Sequence, residues 1–141
     1  VKRMEDAFKS DMQILIFPSG LASRKIKGKI TDLEWKKTVI SKAIEHQRDI
    51  VPVYFDGKNS DFFYRLSKFR KFIGRKFNIE MLILPDEMFR QKNSTVNLAI
   101  GKPVSWQSFT NEKPHKIWAK ELKDTVYSLK HLIPENKRIV K

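Results

Sequence analysis

Ile14-Leu15-Ile16-Phe17-Pro18-Ser19-Gly20-Leu21-Ala22-Ser23-Arg24 is the stretch whose reading decides the architecture. Four consecutive apolar residues stopped by Pro-Ser-Gly read as a buried strand. The chain then turns basic, with Arg24, Lys25, Lys27 and Lys29 around Gly28, and this reads as a loop. Where a strand of an α/β protein opens into such a loop, backbone N–H groups beside Arg and Lys suit a phosphate or another anion. An ordinary turn with a solvated basic loop is the competing reading.

Upstream, residues 4–12 close a helix. Downstream, Thr31 or Asp32 caps a helix that runs to about His46, with Leu33, Ile40 and Ile44 on its apolar face. Residues 50–55, with Pro52 inside, read as a second buried strand closed by Asp56-Gly57. Residues 61–73 carry a helical period in which Phe62, Leu66, Phe69 and Ile73 form the core stripe. Phe63 and Phe72 fall off that stripe among Arg65, Lys68, Arg70, Lys71, Arg75 and Lys76. Residues 77–84 and 95–100 read as two strands of an antiparallel pair. A last helix over 114–132 lines Trp118, Leu122, Thr125, Val126 and Leu129 along one side and leaves Lys116, Lys120, Lys123 and Lys130 solvated. This order predicts an α/β fold: a mixed sheet with parallel strands joined by crossover helices, and a C-terminal amphipathic helix.

The composition fits one small domain. Of 141 residues, 29 are Lys or Arg and 16 Asp or Glu, a net charge of +13. Hydrophobic residues make up 40% and aromatics 11%, enough for a core, which argues against disorder. The sequence has no cysteine, which excludes disulfides and thiolate zinc sites and makes a reducing, cytoplasmic setting the default. No apolar run approaches the roughly 20 residues of a membrane-spanning helix. The histidines at 46, 115 and 131 have no metal-ligand spacing, Ser19 lacks the G-x-S-x-G context of a nucleophile, and no phosphate-binding glycine motif occurs. No cofactor or metal is expected.

The quoted stretch resembles the third signature block of the glycerolipid and lysophospholipid acyltransferases, an apolar strand leading into Phe-Pro-Glu-Gly-Thr-Arg-Ser. Ile50-Val51-Pro52-Val53 resembles their fourth block, and Ala99-Ile100-Gly101-Lys102-Pro103-Val104 their late strand ending in Gly-Lys-Pro. The resemblance covers essentially the whole chain and implies a partial glycerolipid-acyltransferase-like fold. It assigns acceptor binding to Phe17, Pro18, Ser19, Gly20, Ser23, Arg24 and Lys25, with Lys27 beside them, and shaping of the pocket floor to Val51 and Pro52. Two departures bear on the acceptor: Ser19 stands where the family has Glu and Ala22 where it has Arg. In the family those positions help hold glycerol phosphate. An amine-bearing or partly acylated lipid, as in the hemolysin-like branch, is therefore equally open.

The family's first block, His-x4-Asp, has no match: five residues after His46, His115 and His131 stand Val51, Lys120 and Asn136. In the family that His is the general base. The block precedes Phe-Pro-x-Gly and would fall before Val1, so residues 1–141 read as the C-terminal part of one acyltransferase domain, inactive alone. In the full-length protein the implied activity is acyl transfer from acyl-CoA or acyl carrier protein to a lysophospholipid-like or amine-bearing lipid. The helix over 61–73 is expected to lie on an anionic membrane surface through Phe63, Arg65, Lys68, Lys71 and Phe72, so that the protein is peripheral at the inner face of the membrane. The alternative is a non-catalytic basic module that binds RNA or another anionic surface, although no nucleic-acid module is recognisable.

Overall fold

Two amphipathic helices make the centre of the molecule. Val39, Ile40 and Ala43 share one face of α2 (Thr38–Glu45), and Ala119, Leu122 and Val126 share one face of α5 (His115–Ser128). These six side chains interlock with Trp35 and Phe109 in the main apolar cluster. The computed structural model describes residues 2–72 and 82–134.

The other described elements attach to this pair. Helix α1 (Lys2–Lys9) buries Phe8, whose ring stacks on His46 just past the end of α2 with centroids 5.1 Å apart. Strands β1 (Arg24–Ile26) and β2 (Lys29–Thr31) form a hairpin. Its two-residue turn is Lys27-Gly28, both at positive φ, the geometry that matches the twist of a tight hairpin. Strand β3 (Val53–Asp56) pairs antiparallel with β4 (Asn97–Ile100), and the bridge from Ile50 to Val104 extends the pairing. The inner side of this ribbon sets Tyr54 and Ala99 against Leu129 and Ile133. Gly101 allows the close approach: a Cβ there would lie 2.9 Å from Pro52 Cγ and 3.1 Å from the Leu129 methyls.

Helix α3 (Asp61–Phe72) starts under a cap supplied by α4 (Leu84–Arg90). The buried carboxylate of Glu87 accepts from Ser60 N–H at 2.5 Å and from Ser60 Oγ at 2.7 Å, while Ser60 Oγ accepts from Phe63 N–H. Orphan donors at the start of α3 are thereby satisfied.

The α/β reading holds, but no mixed sheet occurs among the described residues. Among the described residues both two-stranded ladders are antiparallel, and no helix joins parallel neighbours. Residues 14–17 are not a buried strand: they have no ladder partner among the described residues, and Leu15 and Phe17 are exposed. The loop expected at 21–30 is instead largely the β1–β2 hairpin. Asp32 does not cap α2 because it is bonded elsewhere. Its carboxylate accepts from Trp35 Nε1 at 3.0 Å and its carbonyl from Lys123 Nζ at 2.6 Å, so α2 begins six residues later. The same contact removes Lys123 from the solvated lysines. Leu84 belongs to a helix and not to a strand, with Pro85 in the first turn, and residues 77–81 lie outside the described residues.

The register of α3 is also reversed. Phe63 is 0% exposed and Phe62 51%, so the buried face is Phe63, Tyr64 and Ser67, while Phe62 and Phe69 face outward. Arg24 packs on that face: this side chain, itself 8% exposed, lies over the Phe63 ring at 5.6 Å. Phe63 is therefore a core residue and not a membrane-facing one.

Phe63→Ala is expected to cost about 3–5 kcal/mol of stability and Phe62→Ala within about 0.5 kcal/mol of none, read by urea denaturation. Equal costs for the two would contradict the observed face.

Candidate acceptor site

The turn after residue 17 is built by its own sequence. Gly20 N–H donates to the Phe17 carbonyl at 3.0 Å, which closes a four-residue turn with Pro18 at its second position. Gly20 sits at φ +66, a conformation open to glycine without strain. Ser19 is buried, and its Oγ donates to the Leu21 carbonyl at 2.7 Å. Its hydroxyl is therefore spent within the loop. Phe17 projects from the turn, 74% exposed.

The turn is fastened to the core by one backbone bond, Lys36 N–H to the Pro18 carbonyl at 3.0 Å. This brings Lys36 to the turn: its Nζ lies 3.2 Å from where a Gly20 Cβ would stand. Lys36 was not among the residues expected at the site. The only trace of it in the sequence is a cation pair, Lys36-Lys37, next to a large aromatic. The segment carrying Lys36 is held on several sides. Asp32 N–H donates to Tyr127 Oη at 2.7 Å, and Lys123 Nζ also reaches the Leu33 carbonyl at 3.2 Å. Burial at this contact pushes the Tyr127 phenol above its ordinary pKa. Beside it, Glu34, Trp35, Lys36, Lys37, Thr38 and Lys116 line an open groove of about 380 Å³. Glu34 pairs with Lys116 at 2.8 Å, and this carboxylate raises the Lys116 pKa.

The expected cations are placed differently. Arg24 Nη1 donates to the Ala22 carbonyl at 2.8 Å and the Ser23 carbonyl at 3.3 Å, so this guanidinium holds the chain between turn and hairpin. Ser23, half-buried, contributes its carbonyl to that contact. Lys25 is exposed and pairs with Asp61 at 3.3 Å. Lys27 occupies the hairpin tip. Val51 and Pro52 lie on the β3–β4 ribbon: Val51 is exposed, and Pro52 is buried next to Gly101, with its carbonyl accepting from Gly101 N–H at 2.9 Å. Val51, Val53, Phe55, Leu98 and Ile100 leave the outer face of the ribbon apolar and exposed. On α3, Arg65 and Lys68 are exposed as expected, whereas the side chains of Lys71 and Phe72 lie outside the described residues.

The histidine rings are engaged elsewhere. His46 Nε2 lies 3.2 Å from Glu5, His115 Nδ1 shares a hydrogen bond with Ser41 Oγ at 2.9 Å, and His131 Nδ1 contacts the Ser128 carbonyl at 2.5 Å. Glu5, Glu45 and His46 bring ligand-type atoms within 4.8 Å of one another. Lys42 bonds both carboxylates and thereby neutralises the cluster as a metal ion would. The Lys42 ammonium, with His46, holds the Glu5 carboxyl below its ordinary pKa, while Glu45 and Glu5 raise that of Lys42. This cluster ties α1 to α2.

Comparison with known proteins gives a consistent result. A family model described as acyltransferase matches residues 1–132. Lyso-glycine lipid O-acyltransferases of Phocaeicola vulgatus and Bacteroides thetaiotaomicron are each 52% identical to the chain over 128 residues, 91% of its length. Those residues are 46% and 47% of the two relatives, so the chain spans about half the length of the curated proteins it matches. No solved structure matches it significantly.

Proposed function

Since the chain belongs to the acyltransferase family, we propose that its full-length protein moves a fatty acyl group from an acyl thioester to a hydroxyl of a lyso-lipid related to glycine lipids. The observation that carries this reading is the 52% identity to two lyso-glycine lipid O-acyltransferases along 91% of the chain. The turn supports the same acceptor class. A glycine joined to a lipid through its nitrogen keeps one carboxylate, whereas a phosphate monoester brings close to two negative charges. Ala22, where the glycerol-phosphate enzymes that the chain resembles have Arg, supplies one cation fewer and fits the less charged head.

In this reaction the acceptor hydroxyl attacks the thioester carbonyl, its proton passes to a general base, and the thiolate departs and is protonated. Phe17, Pro18, Ser19 and Gly20 wall the acceptor in this reading. The three histidine rings contact Ser41, Glu5 and Ser128, and none belongs to a His-x4-Asp pair, so the isolated chain is expected to transfer no acyl group. Acyl-CoA and acyl carrier protein both supply the required thioester.

The site is proposed to work at an anionic membrane surface. No helix among the described residues is long and apolar enough to cross a membrane. The exposed face of α3 places Phe62, Arg65 and Phe69 at the i, i+3, i+7 spacing of one helix side, with Lys68 exposed next to Phe69, the pattern of a helix lying in a lipid interface.

Purified full-length protein supplied with palmitoyl-CoA or palmitoyl-acyl carrier protein and a hydroxylated N-acylglycine should yield the O-acylated product by mass spectrometry. No product with either donor would sink the proposal. In sedimentation with phosphatidylglycerol vesicles, Phe62→Ser combined with Phe69→Ser should weaken binding by about tenfold or more. Unchanged binding, or equal binding to neutral vesicles, would remove α3 as the membrane contact.

A further inference from the structure

We propose that Lys36 is the cation that recognises the anionic head of the acceptor, a role that rests on the lipid-acyltransferase reading above. Its ammonium stands at the turn, 3.2 Å from the position of a Gly20 Cβ, and it also lines the adjoining groove. Among the described residues no carboxylate pairs with it, in contrast to Lys25, held by Asp61, and Lys116, held by Glu34. Arg24 is buried and spends its guanidinium on the Ala22 and Ser23 carbonyls and the Phe63 ring. Of the cations near the turn, Lys36 therefore combines exposure, proximity and an unspent charge.

Its position is set by the fold. The Pro18 carbonyl holds the Lys36 N–H, and the neighbouring Trp35 is buried in the core with its indole N–H on Asp32. A tethered backbone costs less entropy on binding than a lysine in a free loop. The absence of a side chain at Gly20 leaves room for the ammonium to meet an anion at the turn, with Phe17 exposed alongside for the acyl chain. A point charge with rotatable donors suits a single carboxylate, for which a bidentate guanidinium is not required.

The test compares two acceptors in the full-length protein, a hydroxylated N-acylglycine and its neutral primary amide, with Lys36→Ala and Lys36→Arg. A charge-assisted hydrogen bond corresponds to about ten- to a hundredfold in affinity. Lys36→Ala should raise KM for the acid by about that factor, leave KM for the amide and for the thioester within about twofold, and leave kcat for the acid nearly unchanged. Lys36→Arg should restore most of the preference for the acid. Equal effects on acid and amide, or none on either, would overturn the assignment, as would a selective loss in Arg24→Ala that Lys36→Ala lacks. A wild-type protein that acylates neither acceptor refutes the lipid-acyltransferase reading itself, an outcome separate from a wild type that acts on both without using Lys36.

Discussion

The burial of Trp35 between α2 and α5 is the constraint on which the rest of the structure depends. An aromatic of this size removes about 150–250 Å² from water, a gross gain of about 4–6 kcal/mol before entropy is counted. Its indole N–H binds Asp32, whose carbonyl is held by Lys123 and whose amide is held by Tyr127. The segment entering α2 is thus fixed to α5 from several directions. Only because that segment is fixed does the neighbouring Lys36 amide offer a defined donor to the Pro18 carbonyl, and only then is the turn at Gly20 held against the core.

A net charge of +13 suggests one broad electrostatic task, yet the cations of this chain divide their work. Arg24 acts as a structural cross-tie, able to do so because a guanidinium can stack on Phe63 while donating to two carbonyls. Lys123 braces the α2 entry, and Lys42 neutralises Glu5 and Glu45 where α1 meets α2. Lys36, Arg65 and Lys68 remain exposed on surfaces that also expose aromatic rings at Phe17, Phe62 and Phe69. Basic charge beside exposed aromatics is the pattern of a surface that meets lipid, and these rings are candidates for that contact.

The sequence was legible where local chemistry decided the outcome. The Phe17 to Gly20 turn, the strand pair members at β3 and β4, and the last helix follow from Pro and Gly placement and from apolar period. It was misleading where two local solutions were nearly equal. Helix α3 offers one stripe through Phe62 and Phe69 and another through Phe63 and Tyr64, and the face that is buried meets contacts remote in sequence, Arg24 over Phe63 among them. Residues 14–17 have the composition of a buried strand, but burial of a strand requires neighbours that composition does not report. Lys36 was hidden for a similar reason, since its approach to Gly20 depends on a bond spanning residues 18 to 36. The family blocks, by contrast, depend on short contiguous motifs and were readable directly; the matching family model spans residues 1–132.

The most direct test of the account is to locate the acceptor on the protein. Amide and lysine-side-chain resonances of isotopically labelled full-length protein, followed by NMR during titration with a hydroxylated N-acylglycine, give that location. The account predicts saturating shifts centred on Ser19, Gly20 and the Lys36 ammonium, with Arg24 little affected. Saturable binding whose shifts centre elsewhere, with Gly20 and Lys36 unmoved, would contradict it.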